Sequence, residues 1–315
     1  MKKYNLIIKW VCNTNCSFCN FFEQKEKINS KDHLIELIKE LNKAILSWVE
    51  YIQIGYYWYE PTTFPFFLVI LKYIKSRGLK VSLSTNAVLF ANKTFTSKFI
   101  WLIDKVYITL YSSNNKEHFL YTQKKQSYLI KHLAISNLLW IWVNVKLNIL
   151  LLKNTLDSLN TILLQTKKYW KHDYFLKNIS IVLPSPEMDE IRMRYLIPSY
   201  VNTINVLNKS VLFFNNLNII WITFIWDIPK CISKFFNWVQ YSYNKSSLSS
   251  EYLYTKKCNW CLYKKDKSCK WINSKYYSIF WDNELKNSKL YKYDYEIITN
   301  KEIYKALERA KKLYI

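Results

Sequence analysis

The chain has 315 residues, half of them apolar and 22% charged, a balance that supports a large folded core and excludes an intrinsically disordered protein. The net charge is +23, yet 42 of the 46 basic residues are Lys and four are Arg (Arg77, Arg192, Arg194, Arg309); a basic surface attracts acidic partners, but this Lys excess reads as drift toward A/T-rich codons and weakens the case for nucleic acid. No apolar run reaches about 18 uninterrupted residues and the opening MKKYNLIIKWVC lacks a signal-peptide cleavage site, so the expectation is a cytoplasmic protein without membrane contact, whose seven cysteines serve metal or redox chemistry before disulfides.

Short β-rich runs alternate with helix-length segments through the first part of the chain, which predicts repeated βα units and a parallel sheet or barrel. The expected strands are 4–10, 49–55, 79–84, 105–111, 142–151, 178–184 and 218–226. The clearest helix is 31–46, where Leu34, Leu37, Ile38, Leu41 and Ile45 share one face, with Ser30 or Asp32 as its cap. Further helices are expected over 64–76, 127–139, 155–169 and 198–214. After about residue 230 the composition changes to a Lys-, Tyr- and Ser-rich tail that carries four of the seven cysteines and ends in a helix over 300–313.

Cys12, Cys16 and Cys19 follow the first strand with the spacing C-x-x-x-C-x-x-C. One loop of this length can wrap one metal centre. Three thiolates on a four-iron cube leave one iron open, since a cube ordinarily takes four cysteines, and an open position is what separates catalytic from structural metal sites. A zinc site completed by a histidine such as His33 is the competing reading of the same residues. In the tail, Cys231, Cys258, Cys261 and Cys269 can close a site completely, as a zinc knuckle or an iron–sulfur centre.

The motif KWVCNTNCSFCNF resembles the signature of the radical SAM superfamily. That resemblance implies a partial (βα)6 TIM-like radical SAM barrel with a small cysteine-rich extension at its C-terminal end, the barrel spanning 1–228 and the extension 229–315. It implies a SAM-binding [4Fe-4S] cluster on Cys12, Cys16 and Cys19, with Phe18 against the adenine of S-adenosylmethionine. Two further segments are similar to motifs of the superfamily. After the second strand, YYWYEPTT places Trp58, Tyr59 and Glu60 where a Gly-Gly-Glu-Pro-like segment binds the SAM amino group, and a carboxylate suits an ammonium. The third strand ends in Ser84, Thr85 and Asn86, where a Ser-Thr-Asn-Gly-like segment meets the ribose and carboxylate. Three motifs after three successive strands are what a βα barrel demands, because its active residues gather at the C-terminal strand ends. Ser112, Asn148 and Pro184 are candidates to line the cavity, and His118 reads as a surface or packing histidine.

The tail resembles SPASM and twitch extensions, which implies an auxiliary [4Fe-4S] cluster on Cys231, Cys258, Cys261 and Cys269. The implied activity is reductive cleavage of SAM to a 5′-deoxyadenosyl radical that takes hydrogen from a peptide or protein substrate, with electrons from a donor such as flavodoxin or ferredoxin. RNA or a small-molecule precursor is the alternative substrate, and a zinc-binding nucleic-acid module is the non-catalytic alternative.

The glycine count stands apart from all of this. Average usage of about 7% predicts about 22 glycines, whereas the chain has two, Gly55 and Gly78, and thirteen tryptophans. Trp58, Trp260, Trp271 and Trp281 stand where turns and the resembled motifs want Gly. We read this as a code in which UGA specifies glycine, rendered here as Trp; the alternative is an aromatic-rich core.

Overall fold

The structure, a computed structural model, describes residues 2–19, 29–55, 59–182, 196–199, 202–203, 205–207 and 209–210, together with four short strands at 222–225, 240–241, 252–253 and 272–273. Strands β1 (Lys3–Leu6), β2 (Tyr51–Ile54), β3 (Lys80–Thr85), β4 (Lys105–Leu110), β5 (Asn144–Leu150), β6 (Phe175–Val182), β7 (Ile222–Ile225) and β8 (Gln240–Tyr241) form one sheet in sequential order. Every pair in it is parallel. Helices α1 (Ser30–Leu46), α2 (Phe67–Ser76), α3 (Lys93–Ser97), α4 (Asn115–Thr122), α5 (Ser127–Trp140) and α6 (Lys153–Thr166) lie in the crossovers. This is the βα succession expected from the alternating pattern, built as a TIM-like partial barrel.

The strands carry a polarity that a filled barrel would not. In β4, buried Val106, Ile108 and Leu110 alternate with half-buried Lys105, Tyr107 and Thr109. In β5, Val145, Leu147 and Ile149 alternate with Asn144, Lys146 and Asn148. The apolar set packs under the helices, whose buried faces include Leu37 and Leu41 of α1, Ile70 and Ile74 of α2, and Ile135 and Leu138 of α5. Register keeps the polar set on the other face: Ser84 pairs with Tyr107, Thr109 with Asn148, and Asn148 with Ser180. Parallel strands buried on both faces are near-continuously apolar; this alternation marks a concave polar interior instead.

Several expectations need correction. The first strand stops at Leu6, so residues 7–19 form one long loop. Helix α1 is capped by Asn29, whose side chain accepts from the Lys31 N–H at 2.9 Å, not by Ser30 or Asp32. Strand β6 begins earlier, at Phe175, ahead of a register shift opposite Lys146–Asn148. Helices α3 and α4 and strand β8 have no counterpart among the expected elements; α4 is capped by Asn114, which accepts from the Glu117 N–H at 2.9 Å. Pro184, Trp58, the four tail cysteines, Trp260, Trp271, Trp281 and the 300–313 helix lie outside the described residues.

The helix ends bear on the missing glycines. Helix α2 ends in a Schellman turn: Gly78 has φ 72°, its N–H reaches the Lys75 carbonyl at 3.0 Å, and the Leu79 N–H reaches that of Ile74 at 3.4 Å. The left-handed residue of this motif is usually glycine because a Cβ is strained there. Helix α5 ends in the same motif with Trp142 in that place, φ 59°, bonded to Leu139, while Val143 bonds to Leu138. Trp48 after α1 (φ 58°) and Trp101 before β4 (φ 64°) share the conformation. All three indoles are exposed, at 86%, 70% and 54% for Trp48, Trp101 and Trp142. Side chains that fill no core on a backbone that wants glycine fit the recoding reading; Trp10, packed edge-on against Phe64 at 5.1 Å, does not share the pattern.

The chain divides into two compact units. One comprises Met1–Pro198, Val206–Trp226 and Trp238–Asn244; the other comprises Ser199–Asn205, Asp227–Asn237 and Lys245–Ile315. In the second unit, β9 (Tyr252–Leu253) pairs antiparallel with β10 (Ile272–Asn273), which draws together the two ends of the segment that contains Cys258, Cys261 and Cys269. Among the described residues no helix is long and apolar enough to cross a membrane.

Candidate active site

The long loop after β1 carries Cys12, Cys16 and Cys19, all half-buried and unbridged. It is tied down at several points. The Asn15 and Ser17 N–H groups donate to the Thr122 and Tyr121 carbonyls at the end of α4, at 3.1 and 2.8 Å, and the Thr63 hydroxyl donates to the Val11 carbonyl at 2.6 Å. A tight turn within the loop is closed by the Cys19 N–H on the Cys16 carbonyl at 2.9 Å. Both Cys12 and Cys16 reach the Thr14 hydroxyl, at 3.2 and 3.5 Å. Burial pushes the Cys16 thiol up to about 11, opposed in part by the Thr14 hydrogen bond and helped by neighbouring Cys12 and Cys19. Ligation therefore requires these thiols to lose protons, as thiolate sites generally do.

Phe18 points its ring at Tyr111, centroids 4.9 Å apart, and packs on a cluster of Tyr111, Tyr121, Leu150 and Leu152 beyond the ends of β4 and β5. Burial and the nearby thiols hold the Tyr111 phenol well above its ordinary value, so it stays neutral.

The loops after β2 and β3 meet this one through a single chain of hydrogen bonds. Glu60 is 1% exposed. Its Oε1 accepts from the Thr62 N–H (3.2 Å), the Thr62 hydroxyl (2.5 Å) and the Thr85 hydroxyl (2.7 Å), and its Oε2 from the Asn86 N–H (2.6 Å). Desolvation raises its pKa and these hydrogen bonds oppose the rise. Asn86 then turns its amide to the cysteine loop, donating to Asn13 Oδ1 at 2.7 Å and lying 3.4 Å from the Thr14 hydroxyl and 3.5 Å from Cys12 Sγ. Close approach of the strand ends depends on Gly55, where an added Cβ would lie 2.2 Å from the Ser84 carbonyl oxygen.

The expected residues Cys12, Cys16, Cys19, Phe18, Glu60, Ser84, Thr85 and Asn86 thus gather at the C-terminal ends of β1, β2 and β3, with Tyr59 beside Glu60 in the chain. Others have different places. Ser112 is buried in the turn before α4, its hydroxyl donating to the Asn114 carbonyl at 2.9 Å. Asn148 has its buried Oδ1 without a partner on the polar face of β5. His118 is a packing histidine: fully buried, bonded through Nδ1 to the Ser127 hydroxyl at 2.8 Å, and pushed down to about 2 by desolvation. His33 is spent elsewhere, accepting the Lys9 N–H on Nε2 at 3.1 Å and meeting Phe64 edge-on, which removes it as the fourth ligand of a zinc ion. One residue near the site, Lys131, stands outside every motif. Only the fold brings Lys131 within electrostatic reach of Cys16 and Cys12, whereas Thr14 lies between them in the chain.

The donor set fits an iron–sulfur cube. Three soft thiols share one loop, and among the described residues no three His, Cys, Asp or Glu side chains converge as a single metal ion requires.

No known family profile matches the sequence, and no curated protein matches it. Solved structures do share the fold. SuiB of Streptococcus suis bound to S-adenosylmethionine is 16% identical with a TM-score of 0.54, over 71% of this chain and 50% of that one. The same protein bound to precursor peptide SuiA is 18% identical with a TM-score of 0.52, over 69% and 47%. The protein anSMEcpe with bound AdoMet and the Kp18Cys peptide is 16% identical with a TM-score of 0.51, over 70% and 63%. The chain spans about half the length of SuiB. At this identity the likeness establishes architecture: the chain has the mixed α/β, TIM-like fold of radical SAM barrels.

Proposed function

We propose that this chain is a radical SAM enzyme. The observation that carries the reading is the placement of the three-cysteine loop, a buried carboxylate and Asn86 at the ends of three consecutive strands, linked through Asn86. Cys12, Cys16 and Cys19 would hold a [4Fe-4S] cluster that leaves one iron for SAM. When bound and reduced by a donor such as flavodoxin or ferredoxin, the cluster would supply the electron for reductive cleavage of SAM. The protein's part is ligation, orientation and exclusion of water. Phe18, rigid against Tyr111, offers its remaining surface to the adenine. Ser84, Thr85 and Asn86 form the wall facing the ribose and carboxylate, with Tyr59 along the amino end. Glu60 acts chiefly from beneath, fixing Thr85 and Asn86. The polar face of β3 to β6, with Asn148 unsatisfied, is the floor on which substrate lies.

Peptide or protein modification is the substrate reading, supported by the fold shared with SuiB and anSMEcpe, which are seen with peptides bound. The residues 229–315 form a SPASM- or twitch-like extension whose Cys231, Cys258, Cys261 and Cys269 hold an auxiliary [4Fe-4S] cluster; the β9–β10 ladder, which closes the segment bearing three of them, supports it. Net charge of +23 favours RNA as the competing substrate, and steep salt dependence of tRNA binding beside salt-insensitive peptide binding would support that competitor. The reading is tested by equilibrium binding of SAM to the anaerobically reconstituted protein and to Cys16→Ala. Saturable binding lost in the variant is expected; equal binding by both contradicts the ligand assignment.

A further inference from the structure

Lys131 is 2% exposed, which is rare for a lysine that lacks an anionic partner. It belongs to the first half of α5 and reaches past the helix to the end of β4. Its ammonium donates to the Thr109 carbonyl and sits 4.2 Å from the centroid of the Tyr111 ring. On the other side of the site, Phe18 of the cysteine loop packs against the same tyrosine at 4.9 Å. An ammonium has three N–H donors; one carbonyl and one aromatic face leave it under-satisfied. Among the described residues no carboxylate lies within ion-pair distance of it, the two ion pairs being His33–Glu36 and Lys75–Asp104. The negative groups within its electrostatic reach are Cys16, Glu60 and Cys12, and the Glu60 carboxylate already accepts four hydrogen bonds from Thr62, Thr85 and Asn86.

We propose that Lys131 is a positioning residue for charge: a fixed buried cation behind Tyr111 that compensates the negative charge gathered on the cysteine loop and favours its one-electron-reduced form. The proposal rests on the radical SAM reading and goes beyond it. Electron balance is simple. One electron arrives from the external donor protein, the centre gains one unit of negative charge, and Lys131 stabilises that charge without changing its own protonation. Iron–sulfur potentials respond to net charge, hydrogen bonding and solvent exposure around the cluster, and a unit charge acts strongly in a poorly screened enclosure. An apolar residue at this position could not supply that charge. In the metal-free chain Lys131 costs stability, because an under-compensated buried charge is unfavourable.

Two measurements on Lys131→Met and Lys131→Arg test this. In redox titrations followed by electron paramagnetic resonance, the Met variant should load iron and sulfide as the unaltered chain does, yet show about tenfold less reduced cluster at the same ambient potential, while Arg should stay close to the unaltered chain. An unchanged titration in Lys131→Met overturns the proposal. Thermal unfolding of the metal-free proteins needs no cluster. There Lys131→Met should melt higher than the unaltered chain, and a lower melting temperature, or failure to fold, shows that the ammonium is satisfied by the fold itself and also overturns it. Failure of the unaltered chain to take up iron and sulfide is distinguishable, because it strikes the radical SAM reading.

Discussion

Asn86 joins two loops that the sequence keeps far apart: its N–H reaches Glu60 Oε2 at 2.6 Å while its amide reaches Asn13 Oδ1 at 2.7 Å. Removing the amide in Asn86→Ala should cost about 1 kcal/mol of stability and loosen the cysteine loop, read as faster loss of iron in chelator. Asn86→Asp should do worse, since it turns an acceptor toward Asn13 Oδ1 and the Cys12 sulfur. Iron loss slower in Asp than in Ala would show that the bridge does not hold the loop.

Gly55 is a position where the backbone leaves no room. With φ 77° and the Ser84 carbonyl oxygen 2.2 Å from an added Cβ, Gly55→Ala should separate the ends of β2 and β3 and destabilise the fold by about 3 kcal/mol. Chemical denaturation measures this directly. A change under about 1 kcal/mol would mean that the strand ends can part without penalty.

Trp48, Trp101 and Trp142 should each be more stable as glycine, by about 1 kcal/mol, because each holds a left-handed backbone with an exposed indole. Trp10→Gly should destabilise, since it removes a ring packed on Phe64. The corresponding genetic expectation is UGA at codons 48, 101 and 142 and UGG at codon 10. Stability lost in all four variants, or UGG at all four codons, contradicts the recoding.

Lys131 also sets a pH dependence. Desolvation lowers its pKa from 10.5 to about 8, with Cys16, Glu60 and Cys12 opposing the fall. The folded metal-free chain therefore binds this proton less tightly than the unfolded chain, and stability from this group is lost as pH falls through about 8 and present above about 10.5. The advantage of Lys131→Met should be greatest below pH 8, at about 3 kcal/mol for a pKa that falls from 10.5 to about 8 on folding, and shrink toward pH 10.5. A gap that stays constant across that window would place the proton elsewhere.

The periodic part of the fold is legible in the sequence because alternation and amphipathic spacing are local. Leu37 and Leu41 are buried on α1 as the spacing requires, and β4 matches its expected run to within a residue. What the residues conceal is non-local. Asn29 is inconspicuous as a cap because two other polar residues stand beside it. The cysteine loop is long because Lys9 and Trp10, which read as strand, lie beyond the last paired residue, Leu6. At the site, cysteine spacing and the strand-end motifs name most of the residues. Lys131 is invisible there, because a lysine in a helix of a Lys-rich chain looks like a solvated one until the sheet beneath it is known.

The central claim is that the three thiols near the start of the chain grip a cube with one open iron. It is tested most directly by supplying the anaerobically reconstituted protein with SAM and a low-potential reductant and measuring 5′-deoxyadenosine, beside Cys12→Ala, Cys16→Ala and Cys19→Ala. The unaltered chain should yield deoxyadenosine and the three variants none. A chain that holds only zinc, or variants that cleave SAM as well as the parent, would contradict it.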